Sequence, residues 1–204
     1  MVLLDLLAPP LCWSCRSPAA RAGPLCRVCR RSLRFVGPAP SLVGGLEVWA
    51  PVAYDGPGAD LVKALKFHGA ARLAADMAAI IVANAPAAML AGHLVPVPLH
   101  PARRHARPFN QSALIAGAIS ERADLPVADC LSRTGSKQTQ VGRAREARLT
   151  GAGTIQAAGR PPATALLVDD VVTTGATLAA CAAALRAAGT REVGAIAFAR
   201  TAGR

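Results

Sequence analysis

Aromatic side chains are scarce in this chain: Phe, Trp and Tyr together make up 3% of its 204 residues. Proteins that lay unpaired bases on stacking platforms draw on such side chains, so a single-strand binder of that design is disfavoured. Acids are also few, 12 against 23 Lys and Arg, which leaves a formal net charge of +11. Such a balance asks for partners that are anionic somewhere, and phosphorylated small molecules and nucleic acids both qualify. Long hydrophobic runs are missing. The most apolar stretch, Leu73–Leu99, is broken by Asp76, Asn84, Pro86 and His93, whereas a membrane helix needs about 20 apolar residues in succession. Met1–Leu11 has no basic opening and carries Asp5, unlike a secretory signal. A soluble, cytoplasmic protein with no membrane span is expected. There is no G-x-x-x-x-G-K-[ST] phosphate loop, which argues against a nucleoside triphosphatase. No Ser/His/Asp or Cys/His set is evident, and His93, His100 and His105 lack metal-ligand spacing. Cys130 and Cys181 stand alone and read as small buried residues.

Apolar residues, many of them Ala, make up 52% of the chain. That supplies a core, and 204 residues can hold one full α/β domain and a small module, but not two full domains. The most informative stretch runs from Ala165 to Thr177. Ala165–Val168 is an unbroken apolar run, as in a strand of a parallel sheet buried on both faces. It ends in Asp169 and Asp170, followed by Val171-Val172, then Thr173, Thr174, Gly175, Ala176 and Thr177. An alanine-rich helix is expected from about Leu178 to Ala188. Ligands of open α/β sheets sit outside the carboxyl ends of the strands, where these acids fall. The turn after them opens a helix, whose unpaired N–H groups and dipole favour an anion. Three threonine hydroxyls add donors, and Gly175 lets the backbone close around a phosphate. The alternative is a buried strand leading into a capped helix. The full run resembles the phosphoribosyl-pyrophosphate signature of type I phosphoribosyltransferases.

Cys12-x-x-Cys15 and Cys26-x-x-Cys29 are the second strong pattern. Each pair offers two sulfurs from one tight turn, and two such turns complete a tetrahedral S₄ site. Thiolate softness and that geometry favour structural Zn²⁺ over an iron–sulfur centre. A pair of disulfides is the rival in an oxidising compartment. Between Leu6 and Leu46 stand six arginines and no acid. They either contact phosphate or nucleic acid, or form a solvated surface that offsets the negative Cys₄–zinc centre.

The expected organisation is a Cys₄ zinc ribbon or knuckle over 1–36, a turn-rich linker over 37–46, and one larger domain over 47–204. Leu46–Tyr54 reads as a strand or hairpin arm, Asp55–Gly58 as a turn, and Ala59–Phe67 and Ala70–Val82 as helices. Lys63, Lys66 and His68 reach a ligand on one reading, and on the favoured one belong to a solvated helix face. Leu94–Leu99 is a strand whose two prolines should end it at an exposed loop. Arg103, Arg104, His105 and Arg107 follow, and Pro108-Phe109-Asn110-Gln111-Ser112 opens a helix to about Arg122. A strand, a basic loop and a helix start again describe an anion site. The last strand spans Val193–Phe198.

Several of these segments resemble the ComF competence-protein family. They are Val95–His100 with its spaced arginines, Phe109-Asn110-Gln111, Tyr54-Asp55-Gly56, Leu65–Gly69 and the N-terminal cysteine pairs, all in the family's order. Pro108 stands where the family usually has Gly, Arg143 where Leu is usual, and Leu149-Thr150 where Asn is expected. The resemblance implies a Rossmann-like type I phosphoribosyltransferase fold, α/β with a central, mostly parallel sheet flanked by helices, behind a small zinc module. It also implies phosphoribosyl pyrophosphate and Mg²⁺ as ligands, and a role in DNA uptake. On that reading Thr173–Thr177 hold the 5′-phosphate, while Asp169 and Asp170 fix the ribose and face the developing oxocarbenium charge. Arg103, Arg104, Arg107 and Lys137 then meet the pyrophosphate, with Arg133–Arg148 as a basic closing loop or a solvated one. The acceptor stays open, as does the oligomeric state, a homodimer being one option. A different class also fits: a non-catalytic adaptor that binds single-stranded DNA or a DNA-processing protein of competence.

Overall fold

The computed structural model describes residues 11–19, 23–67, 71–103, 109–134 and 154–201. In chain order the elements are α1 (Arg27–Arg31), β1 (Ser41–Val43), β2 (Leu46–Trp49), β3 (Val52–Ala53), α2 (Gly56–Phe67), α3 (Leu73–Asn84) and β4 (His93–Pro96). They continue with α4 (Gln111–Ala123), β5 (Leu131–Arg133), β6 (Ile155–Ala157), β7 (Thr164–Val172), α5 (Ala176–Ala187) and β8 (Glu192–Arg200). The main sheet has the order β1-β2-β8-β7-β4, with β3 also pairing β8. Every pairing in it is parallel except β1–β2. This is the expected α/β class, with a mostly parallel central sheet flanked by helices.

The two sheet faces divide the apolar residues of each strand by alternation. Leu166, Val168, Ile196 and Phe198 pack with α2, α3 and α4, whereas Ala165, Leu167, Ala195 and Ala197 pack with α5. Alanines on both the strands and α5 bring that helix close, so the Thr173–Gly175 turn that opens it is held against the sheet. The β7–α5–β8 unit is a parallel crossover, and it carries Asp169 and Asp170 to the carboxyl end of the sheet. Pro96 ends β4 at the sheet edge, where its missing N–H breaks no ladder.

Several local expectations change. Gly44 and Gly45, at φ +60° and +77°, close a two-residue hairpin that pairs Ser41–Val43 with Leu46–Val48. Paired positive φ values suit the tight turn that matches strand twist. The stretch read as a connector therefore supplies an edge strand. Asp55–Gly58, read as a turn, opens α2 instead, since Asp55 O accepts from Ala59 N at 3.1 Å. Pro57 is tolerated there because first-turn N–H groups have no helical acceptor. Helix α3 starts and ends slightly later than the expected Ala70–Val82.

Cys12, Leu25, Cys29 and Leu33 join the core cluster of α2 and α3. Residues 34–36 run antiparallel to β3, with Val36 N donating to Pro51 O and Ala53 N to Arg34 O. Ser14 Oγ also donates to Asp60 Oδ2 of α2 at 2.8 Å. Among the described residues no helix is long and apolar enough to cross a membrane.

Candidate ligand cleft and metal centre

The carboxyl ends of β4 and β7, the last turn of α2 and the first turn of α4 enclose a cleft of ≈ 390 Å³. Asp169 and Asp170 form its floor, and Thr173 and Thr177 stand at one side. Asn110 caps α4 by accepting from Ser112 N at 3.1 Å, and its amide donates to Val97 O at 3.0 Å. This ties the helix start to the end of β4 and sets Ser112, which is 5% exposed, against the acids. Ser112 Oγ donates to Asp169 Oδ1 at 3.0 Å, and Asp170 N donates to the same oxygen at 2.8 Å.

Lys66 reaches the second acid. Its Nζ lies 3.0 Å from Asp170 Oδ1, with side-chain exposures of 15% and 7%. Burial first, and then the Asp170 charge, push the Asp169 carboxyl up to about 7, against the Asp170 N–H, Ser112 and Lys66. Its folded pKa lies above the usual carboxylate value of about 3.9. Ionisation therefore costs stability as pH climbs between those values, and a ligand that needs the carboxylate binds better above the upper one. Ser112→Ala removes a bond that favours the ionised form. The midpoint of pH-dependent ligand binding is expected to rise by about one unit, while Ser112→Thr keeps it. Calorimetry across the neutral range checks this; an unmoved midpoint for the alanine variant would leave Ser112 a packing residue only.

Thr173–Leu178 wrap a smaller niche of ≈ 40 Å³ that shares Asp169, Thr173 and Thr177 with the cleft. Gly175 sits at φ +72°, and a Cβ there would run into the Val43 side chain of the hairpin. Glycine is required on both counts. Ala176 N donates to Thr174 Oγ1 at 3.4 Å, and Gly175 O accepts the first α5 bond from Ala179.

Away from the cleft residues, the sulfurs of Cys12, Cys15, Cys26 and Cys29 all lie within 4.8 Å of one another. Cys15 Sγ and Cys26 Sγ are 3.6 Å apart, and Cys29 N donates to Cys26 Sγ at 3.5 Å. A Zn–S length of about 2.3 Å places tetrahedral sulfurs about 3.8 Å apart, so the cluster fits Zn²⁺. Hydrogen bonding from Ser17 brings the exposed Cys15 thiol down to about 6, and burial pushes Cys29 up to about 12. Cys181 is likewise raised to about 12 by burial, which suits an inert core thiol.

No family model and no curated protein matches the chain. Among solved structures it is similar to Leishmania donovani UMP synthase. The likeness has a TM-score of 0.35 and 19% identity, and covers 81% of this chain. The chain spans 28% of that protein's length. At this level the functional reading rests on the site itself.

Of the residues singled out in the sequence, Asp169, Asp170 and Thr173–Thr177 meet at one site, and the four cysteines at another. Arg103 ends a short 3₁₀ turn, Pro101–Arg103. Arg104, Arg107 and Lys137 lie outside the described residues, as does the basic stretch 135–153. Lys66, Ser112 and Arg133 also line the cleft; the sequence offered Lys66 as a ligand contact or a solvated residue and Arg133 as part of a closing loop, but gave Ser112 no role. A signal for Lys66 was present, because Ala59, Val62 and Lys66 fall on one stripe of α2 and both preceding members are buried. Lys63 does occupy the solvated face, 3.6 Å from Asp60.

Proposed function

We propose that this chain binds phosphoribosyl pyrophosphate with Mg²⁺ and transfers the phosphoribosyl group to an acceptor. The ComF resemblance links that activity to DNA uptake. The observation that carries the reading is that the two hollows share walls. A niche of ≈ 40 Å³ has Asp169, Thr173 and Thr177 in common with a cleft of ≈ 390 Å³ that is also lined by Asp170. A sugar phosphate has that shape, with its phosphate in the Thr173–Thr177 loop and its hydroxyls against Asp169 and Asp170. Lys66 and Arg133 line the cleft beside the two acids, and they, with Arg103, Arg104, Arg107 and Lys137, would meet the departing pyrophosphate. Mg²⁺ carried by the pyrophosphate would offset its charge as the bond breaks. The two carboxylates would stabilise the cationic sugar that results.

Calorimetric titration of phosphoribosyl pyrophosphate, with and without Mg²⁺, tests this on the zinc-loaded chain. Binding is expected to depend on Mg²⁺ and to weaken on the order of 100-fold or more in Asp169→Asn/Asp170→Asn. Absence of binding by the folded wild type sinks the proposal. The second reading, an adaptor for single-stranded DNA or a DNA-processing partner, is favoured by α1. That helix exposes Arg27, Arg30 and Arg31 beside Val28, itself 72% exposed. DNA held through phosphates would be released steeply by salt, whereas an enclosed sugar phosphate would not.

A further inference from the structure

The Thr173–Thr177 loop borders a second hollow. Val172 and Thr173 belong both to the niche under the loop and to a separate hollow of ≈ 170 Å³. That hollow lies between the β1–β2 hairpin and the ends of β7 and β8. Its walls include Val43, Val48, Ala50 and Val172, and its charged group is Arg200, the last residue of β8. Arg200 Nη1 donates to Ser41 Oγ at 2.5 Å, which fixes the guanidinium against the hairpin. A guanidinium carries five N–H donors, so this bond leaves most of them for a ligand. Among the described residues no carboxylate forms an ion pair with Arg200.

The direction of this hollow gives it meaning. Asp169, Asp170, Lys66 and Arg133 line the cleft on the inner side of the loop, where the reacting sugar carbon and its leaving group would lie. The Arg200 hollow lines none of those groups and meets the cleft only at Thr173. It therefore lies beyond the 5′ end of a bound sugar phosphate. We propose that Arg200, with Ser41 and Thr173, forms a second anion subsite for the next phosphate of a 5′-diphosphate or 5′-phosphodiester ligand. The chain then accepts sugar phosphates substituted at the 5′ position, the apolar walls taking the first atoms of the substituent. This inference rests on Thr173–Thr177 acting as the 5′-phosphate loop. Once the loop anchors the first phosphate, the second meets Arg200 at high effective concentration.

The probes are ribose 5-phosphate and adenosine 5′-diphosphoribose, titrated by calorimetry into the full zinc-loaded chain. The diphosphoribose is expected to bind about tenfold tighter or more, the gain from one charge-assisted contact. Arg200→Gln is expected to abolish that gain and leave ribose 5-phosphate binding unchanged. Ser41→Ala keeps the cation but frees it, so it should reduce the gain, and it serves where the arginine variant folds poorly. Equal affinity for the two probes in wild type, or a gain that survives Arg200→Gln, overturns the subsite while leaving the loop reading intact. Binding of the diphosphoribose alone, dependent on Arg200, would support the subsite and overturn the monoester reading of the loop. Binding of neither overturns both.

Discussion

Lys66→Met is expected to lower folding stability by about 3–5 kcal/mol, because it removes the ammonium that faces the buried Asp170 carboxylate at 3.0 Å. The Lys66 and Asp170 side chains are 15% and 7% exposed at a separation of 3.0 Å, so solvent screens the pair little. The loss should also depend on pH. Asp169 already titrates near 7, raised by burial and by the Asp170 charge. Without Lys66 the two acids favour sharing a proton still more strongly. A folded-state pKa above the unfolded one means that stability is highest in acid and declines as pH rises toward the folded value. The deficit of Lys66→Met should therefore be small at acid pH and largest above neutrality. Lys66→Met/Asp170→Asn, which removes both charges, should recover most of it. Urea unfolding of the three chains at acid and alkaline pH checks this. A deficit under about 1 kcal/mol, the range of a surface pair, or one that ignores pH, would mean the pair does not bear on folding.

The sheet and helices were legible in the sequence wherever one period dominates. Ala165–Val168 reads as a buried strand because both faces of β7 are covered, and α5 because its alanines leave no competing pattern. The Thr173–Thr177 turn at the start of α5 was legible because the residues that make it are contiguous. The Lys66–Asp170 pair was not, because its members lie far apart along the chain and only the packing of α2 against β3 and β8 brings them together. Ser112 and Asp169 are 57 residues apart, and Arg200 and Ser41 are 159 apart. No local window holds such pairs. The hairpin at Gly44-Gly45 is a different kind of miss. Its turn residues were visible, but three strand residues before them are too few to show alternation. The cysteines needed no tertiary knowledge, since two tight turns at close spacing already confine four sulfurs.

Those sulfurs carry the other large effect. Chelation of the metal is expected to lower the melting temperature by about 10 °C or more. The argument begins with what the module has besides the metal. Cys12, Leu25, Cys29 and Leu33 are its described residues buried in the hydrophobic core, with Trp13, Ala19 and Cys26 packed partly buried against them, and Cys12, Cys26 and Cys29 are themselves proposed ligands. With Zn²⁺ removed, the buried pair loses the bond that fixes its turns, and too little apolar surface remains to hold them. The damage should spread, since Ser14 lies between two of the ligands and its hydroxyl clamps Asp60 on α2. The same helix delivers Lys66 to Asp170 at its other end. Chelation should therefore loosen the cleft as well as the module, and cysteine-to-serine changes at Cys12 or Cys29 should reproduce both effects. Metal analysis should find about one zinc per chain, and replacement by Co²⁺ should give the absorption of a tetrahedral thiolate site. A chain that melts at the same temperature with and without chelator, and binds no zinc, would leave the four cysteines a packing cluster. If the module alone melts while ligand binding persists, the Ser14–Asp60 clamp transmits nothing to the cleft.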